Sequence, residues 1–180
     1  MMKLPIALMT LALCTLQPAQ AQTTQVEDLE ADLAEVEEKI VGLANAMSAE
    51  QYGWRPGEGV RSVSEVFQHV AADNFLLAAP FMEIPAWTEM DASDYGTVQS
   101  FENRKIDRAQ VIDELQQSFA HIKSALETMT DAKLAESVSM FGQTWTGHRL
   151  WILTVGHMHE HLGQAIAYAR MNGVVPPWSR

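Results

Sequence analysis

Val26, Leu29, Leu33, Val36, Ile40, Leu43 and Met47 return every three or four residues, and no other property of this chain constrains its fold so tightly. That interval matches the turn of an α-helix, so the seven side chains form one apolar stripe. Glu27, Asp28, Glu30, Asp32, Glu35, Glu37 and Glu38 fill the opposite face, where acid near a helix N-terminus also suits the macrodipole. The acidic run reads as a solvated face, and the predicted helix spans Gln25 to Met47.

Three further segments read the same way. Gly53, Pro56, Gly57 and Gly59 mark a turn segment after the first helix. Ser62, with Glu65 three residues on, then makes a capping box that opens a second helix, continuing to about Pro80. A looser stretch, Pro85 to Glu102, leads to a third helix from about Asp107 to Met129, striped by Val111, Leu115, Phe119, Ile122, Leu126 and Met129. A connector, Thr130 to Trp145, has room for a short turn of helix. The fourth helix runs from Thr146 to Met171 and stops at Asn172-Gly173, with Pro176 and Pro177 forbidding continuation. No strand-like alternation is read anywhere. Helices of roughly 20–25 residues are about 30–38 Å long and can pack side by side. The expected fold is all-α, an antiparallel four-helix bundle, with the crossing order left open by the long connectors.

The first 21 residues read as a signal peptide. Lys3 gives the positive start, Leu4 to Leu16 a short apolar run, and Ala19-Gln20-Ala21 an A-x-A exit, so the mature chain is expected to start at Gln22. Cys14, the one cysteine, lies inside this leader, so the mature domain, residues 22–180, has neither disulfide nor cysteine nucleophile. The expected location is periplasmic or secreted, with no membrane association after cleavage. Twelve Lys and Arg against 23 Asp and Glu give a formal charge of −11, a poor match for nucleic acid or anionic lipid. The partners left are a small-molecule substrate and, for assembly, a second copy of the chain.

The chemistry concentrates in the fourth helix. His157 and His161 are four apart and share one helix face, where two imidazoles can bind one divalent cation. His159 points nearly the opposite way and is expected in solvent. Gly163 stands where a zincin would need its second histidine, and the repeated Glu-x-x-His pairs of a di-iron bundle are absent. A third ligand is needed, and His69, His121, His148 and nearby carboxylates are the candidates. His69 falls on the edge of the second helix's apolar face. His121 lies off the third helix's stripe and His148 at the mouth of the fourth, which makes both weaker. Three imidazoles with an open position form the layout of a catalytic zinc site. Zinc and nickel lead, and iron and manganese are also compatible, because nitrogen ligands select metals poorly. Asp73, one turn after His69, is positioned to orient it as an outer acceptor. Glu160 is expected to face solvent and Tyr168 to pack.

Four segments together resemble the DinB superfamily of DinB/YfiT-like metalloenzymes. Tyr52-Gly53-Trp54-Arg55-Pro56 followed by Arg61-Ser62-Val63 resembles that family's lead-in to its second helix. Glu65-Val66-Phe67-Gln68-His69-Val70-Ala71 resembles its first histidine motif, and His157-Met158-His159-Glu160-His161-Leu162-Gly163-Gln164 its paired-histidine motif. Tyr168-Ala169-Arg170-Met171-Asn172-Gly173 with Pro176-Pro177-Trp178-Ser179 resembles its ending. The resemblance spans essentially the whole mature chain. It implies a four-helix bundle with a divalent metal held by His69, His157 and His161, and a metal-dependent hydrolase as the leading activity. A non-catalytic metal or small-ligand binding module, and a metal-dependent transferase as in some members, are the alternatives. Thiol transfer fits an exported chain poorly, since it relies on a reduced thiol pool. No nucleophile or general base is assigned from sequence.

Overall fold

The computed structural model describes residues 24–81 and 95–179; the leader, Cys14 and Trp87 lie outside them. Four long helices form the body. α1 (Gln25–Ala46) opens on a reciprocal capping box of Thr24 and Glu27 and buries Leu29, Leu33, Val36, Ile40 and Leu43, the stripe read from sequence. α2 (Val63–Ala78) opens on the Ser62–Glu65 box. α4 (Arg108–Glu127) is capped by Asp107 and α6 (Gly147–Met171) by Thr146. At the end of α6 the Val174 N–H donates to the Ala169 carbonyl and the Gly173 N–H to the Arg170 carbonyl. With Gly173 at a φ of 74°, this is the Schellman stop that Asn172-Gly173 signals.

The crossing order follows from which stripes meet. α1 packs on α4 and α6, and α2 also packs on α4 and α6. The consecutive helices α1 and α2 therefore stand diagonally. The sixteen residues between them, 47–62, with the 3-10 turn Gln51–Gly53, give the chain room to cross. α2 is buried on nearly every side, His69 and Gln68 included, because it also carries a fifth helix on its outer face. Trp151, Phe67 and Phe119 are wholly enclosed in the shared core, each contributing about 1.5–3 kcal/mol of burial. Arg108 ties α4 to the end of α1, donating from Nε to the Met47 carbonyl at 2.8 Å and from Nη2 to the Asn45 carbonyl at 2.9 Å. These are carbonyls that a helix end leaves without intrahelical partners.

The connectors correct two sequence expectations. The stretch read as loose contains α3 (Tyr95–Glu102), held on α2 by Val98 and by Phe101 edge-on to Phe75 at 6.1 Å, while the Arg104–Glu114 ion pair just beyond it ties the chain to α4. The second connector holds the expected short helix, α5 (Asp131–Leu134), followed by a β-hairpin that was not expected. β1 (Ser137–Met140) and β2 (Gln143–Thr146) pair antiparallel, with Met140 opposite Gln143. β1 does alternate, with Ser137 and Ser139 exposed and Val138 and Met140 half-buried, but over four residues only. Gly147 lets α6 start against α5: a Cβ there would stand 3.2 Å from the Leu134 and Lys133 carbonyl oxygens. Among the described residues no helix is long and apolar enough to cross a membrane.

Candidate metal centre

His69 on α2 faces His157 and His161 on the adjacent α6, so packing of the two apolar faces brings three imidazoles into one cluster. Each offers a ring nitrogen, all within 4.8 Å of one another. The His157 and His161 Nε2 atoms are 3.0 Å apart, and the His69 ring centre lies 5.2 and 4.5 Å from theirs. Two nitrogens sharing one ion at ~2.0–2.1 Å each stand no more than roughly 4 Å apart, so the closest pair fits.

Two chains of hydrogen bonds decide which nitrogens face inward. Glu102, buried at the end of α3, lies 2.8 Å from His69 Nδ1. A carboxylate only accepts, so Nδ1 carries the proton and Nε2 offers its lone pair to the cluster. The second chain starts at a backbone carbonyl. The Arg61 oxygen can only accept, so the Tyr168 hydroxyl donates to it at 3.2 Å. Tyr168 then accepts from Gln164 Nε2 at 3.1 Å, which turns Gln164 Oε1 toward His161 Nδ1 at 2.9 Å. His161 therefore donates at Nδ1 and keeps a free Nε2 facing His157. Arg61 closes the circuit, donating from Nη2 to Glu102 at 3.2 Å.

Protonation suits ligation as well. Burial, followed by the neighbouring His161 and His69 charges, lowers His157 to about 4. Burial likewise lowers His161. Burial alone would raise Glu102, but its hydrogen bond to His69, with the charges of His69 and Arg61, holds it below the ordinary carboxylate value. Burial thus favours the neutral, ligating form of His157 and His161, and the Glu102 carboxylate stands outside them on His69, a donor set that fits a divalent ion.

Asp73 departs from the role expected of it. Its Oδ2 lies 3.1 Å from His157 Nε2 and 3.5 Å from His69 Nε2, on the inner side of the cluster. The outer acceptor of His69 is instead Glu102. No periodic pattern marks α3, and Glu102 is 33 residues from its partner, so only the folded chain reveals it. Burial pushes Asp73 up to about 6, against the lowering by the His69 charge. His121 packs on Phe75 with ring centres 5.4 Å apart, and His148 is half-buried in the first turn of α6. Neither joins a group of three potential ligands among the described residues. His159 and Glu160 are exposed, as read from sequence, and Tyr168 is buried edge-on to Trp54.

Beside the cluster lies a cavity of about 270 Å³, lined at one end by His69, Asp73 and His157 and elsewhere by leucines and Phe141. Fold and cluster together define a helical bundle with a three-histidine site on two facing helices. The chain belongs to the DinB superfamily, whose sequence profile matches residues 32–165. It is 25% identical over 135 residues to the uncharacterised protein YjoA of Bacillus subtilis, covering 73% of this chain and 80% of that one. Its fold is similar to a DinB-like protein of Bacillus cereus, with a TM-score of 0.68 at 16% identity over 84% of this chain and 95% of the other. It is also similar to YfiT of Bacillus subtilis, described as a probable metal-dependent hydrolase with an unusual four-helix bundle topology. There the TM-score is 0.64 at 20% identity, over 88% of this chain and 94% of YfiT.

Proposed function

We propose that this chain is a divalent-metal-binding protein that uses His69, His157 and His161 as ligands and acts as a metal-dependent hydrolase. The observation carrying this reading is the convergence of three imidazoles, with outer partners in place on His69 and His161, beside a cavity. The description of YfiT supports the reaction class. Zinc and nickel suit the donor set best, followed by iron and manganese. A divalent ion there supplies Lewis acidity toward a substrate oxygen or a water. The remaining work falls to the chain itself. Glu102 and Gln164 hold the His69 and His161 rings in the tautomers that keep Nε2 inward. Asp73 Oδ2, 3.1 Å from His157 Nε2 and lining the cavity, is the carboxylate placed to take up and return a proton. Leu76, Leu77 and Leu153 give the rest of the cavity an apolar lining.

Asp73 also favours a second reading. A carboxylate so close to two ligand nitrogens could complete the coordination shell and leave a non-catalytic binding module. Elemental analysis of zinc-loaded variants, paired with hydrolysis of a panel of small chromogenic esters and amides, separates the two. His69→Ala, His157→Ala and His161→Ala should each lose most bound metal and the turnover with it, while His159→Ala keeps both. Asp73→Asn should keep its metal and lose turnover by about 100-fold or more in the hydrolase; in the binding module it loses metal affinity, and no variant turns over. Equal metal loss from all four histidine variants would contradict the assignment.

A further inference from the structure

The hairpin between β1 and β2 turns on two residues, Phe141 and Gly142, both with positive φ, 53° and 69°. That is the two-residue turn whose twist matches paired strands, and it selects Asn or Asp followed by Gly. Gly142 meets the requirement. Phe141 does not: a bulky residue in the left-handed region is a genuine outlier, and such positions cluster at functional sites. Its side chain is also 56% exposed, so core packing does not explain it. What the position does supply is a wall. Phe141 lines the cavity beside the histidine cluster, facing the same space as Leu76, Leu77 and Leu153. Of these four it is the exposed one, and so it stands at the mouth. Trp145 Nε1 donates to the Met140 carbonyl at 3.0 Å and fastens the residue before the turn.

We infer that Phe141 is a specificity-determining residue, and that the substrates are small carbonyl compounds, esters or amides, carrying a compact apolar group. The carbonyl end lies against His69, Asp73 and His157, and the apolar group lies between the leucines and the Phe141 ring. This rests on the hydrolase reading, and supplies its substrate class. The size follows from the cavity, whose roughly 270 Å³ falls just below the range of drug-sized pockets. The polarity follows from a wall that is carboxylate and imidazole at one end and hydrocarbon elsewhere.

The test uses acetohydroxamate and hexanohydroxamate, which share one ligating head and differ in their apolar tail, titrated calorimetrically into zinc-loaded protein. Each buried methylene contributes up to about fourfold in affinity, so hexanohydroxamate should bind the wild type at least about tenfold tighter. Phe141→Asn should bring that ratio to about threefold or less while leaving acetohydroxamate binding within about twofold. The same variant should melt no lower than wild type, because Asn is at home in this turn. Phe141→Leu, which keeps an apolar wall, should retain most of the tail preference. An unchanged ratio in Phe141→Asn, no tail preference in the wild type, or a lowered melting temperature in Phe141→Asn would overturn the assignment while leaving the metal site standing. Failure of the wild type to retain zinc, or retention of zinc with neither hydroxamate bound, would overturn the hydrolase reading and this assignment with it.

Discussion

Tyr168 shows how far a single hydroxyl reaches. Its proton is committed to the Arg61 carbonyl, which forces the Gln164 amide into one orientation and His161 into one tautomer. Tyr168→Phe removes the donor and frees the amide to turn, so the inner nitrogen of His161 is no longer assured. Zinc affinity, measured by competition against a chelator, should fall by about tenfold or more, as for other outer partners of ligand histidines. The far-ultraviolet circular dichroism should be unchanged, because the ring still packs on Trp54. Equal zinc affinity in the variant would show that the relay does not govern His161. Tyr168 was legible from sequence as a packing residue, being two turns from His161 on one helix. The relay was not, because its anchor at Arg61 lies 107 residues away.

Among the elements, α2 carries the most constraint, since it presents His69 and Asp73 while being enclosed by α3, α4 and α6. Its start is set by Glu65. Burial raises this carboxyl, but the Ser62 backbone N–H, Lys105 and Arg55 outweigh that and lower it from 4.5 to about 2. The folded protein therefore binds fewer protons here than the unfolded chain between those values. The stabilisation is complete above about pH 4.5 and is lost as pH falls toward 2. Glu65→Gln keeps the capping geometry and removes the charge. Its melting temperature should lie below wild type near neutrality, and the gap should narrow as the solution is acidified. A gap independent of pH would place the effect in packing. The cap itself was legible, because Ser and Glu three residues apart act locally. The charge pairing was not, because Lys105 comes from 40 residues downstream.

For the whole molecule, four stripes buried against one another provide a core that does not depend on an ion. Chelator-treated protein should remain helical by circular dichroism and melt cooperatively. Zinc at a hundredfold excess over its dissociation constant should then add about 2.7 kcal/mol. Loss of the helical signal on chelation would make the ion a structural staple, as in a zinc finger. We also propose that residues 1–21, with their apolar run and A-x-A exit, are a cleaved leader, so mass spectrometry of the protein made in its host should find a start at Gln22. An intact Met1 would refute cleavage.

What the sequence determined by itself is whatever depends on neighbours a few residues apart. The four helices, the cap at Ser62, the stop at Asn172-Gly173 and the shared face of His157 and His161 all follow from helical periodicity and local hydrogen bonding. The resemblance of its motifs to a known family singled out His69 among the candidate third ligands. Tertiary structure decided the rest. The diagonal placement of α1 and α2 depends on which stripes fit together, and α3 is an eight-residue helix that depends on α2 for its burial. The inward position of Asp73, the outer role of Glu102 and the wall made by Phe141 each need two elements to meet. Hydrogen bonds and cavities formed between elements depend on distances in space, and a one-dimensional pattern carries those only where the chain stays close to itself.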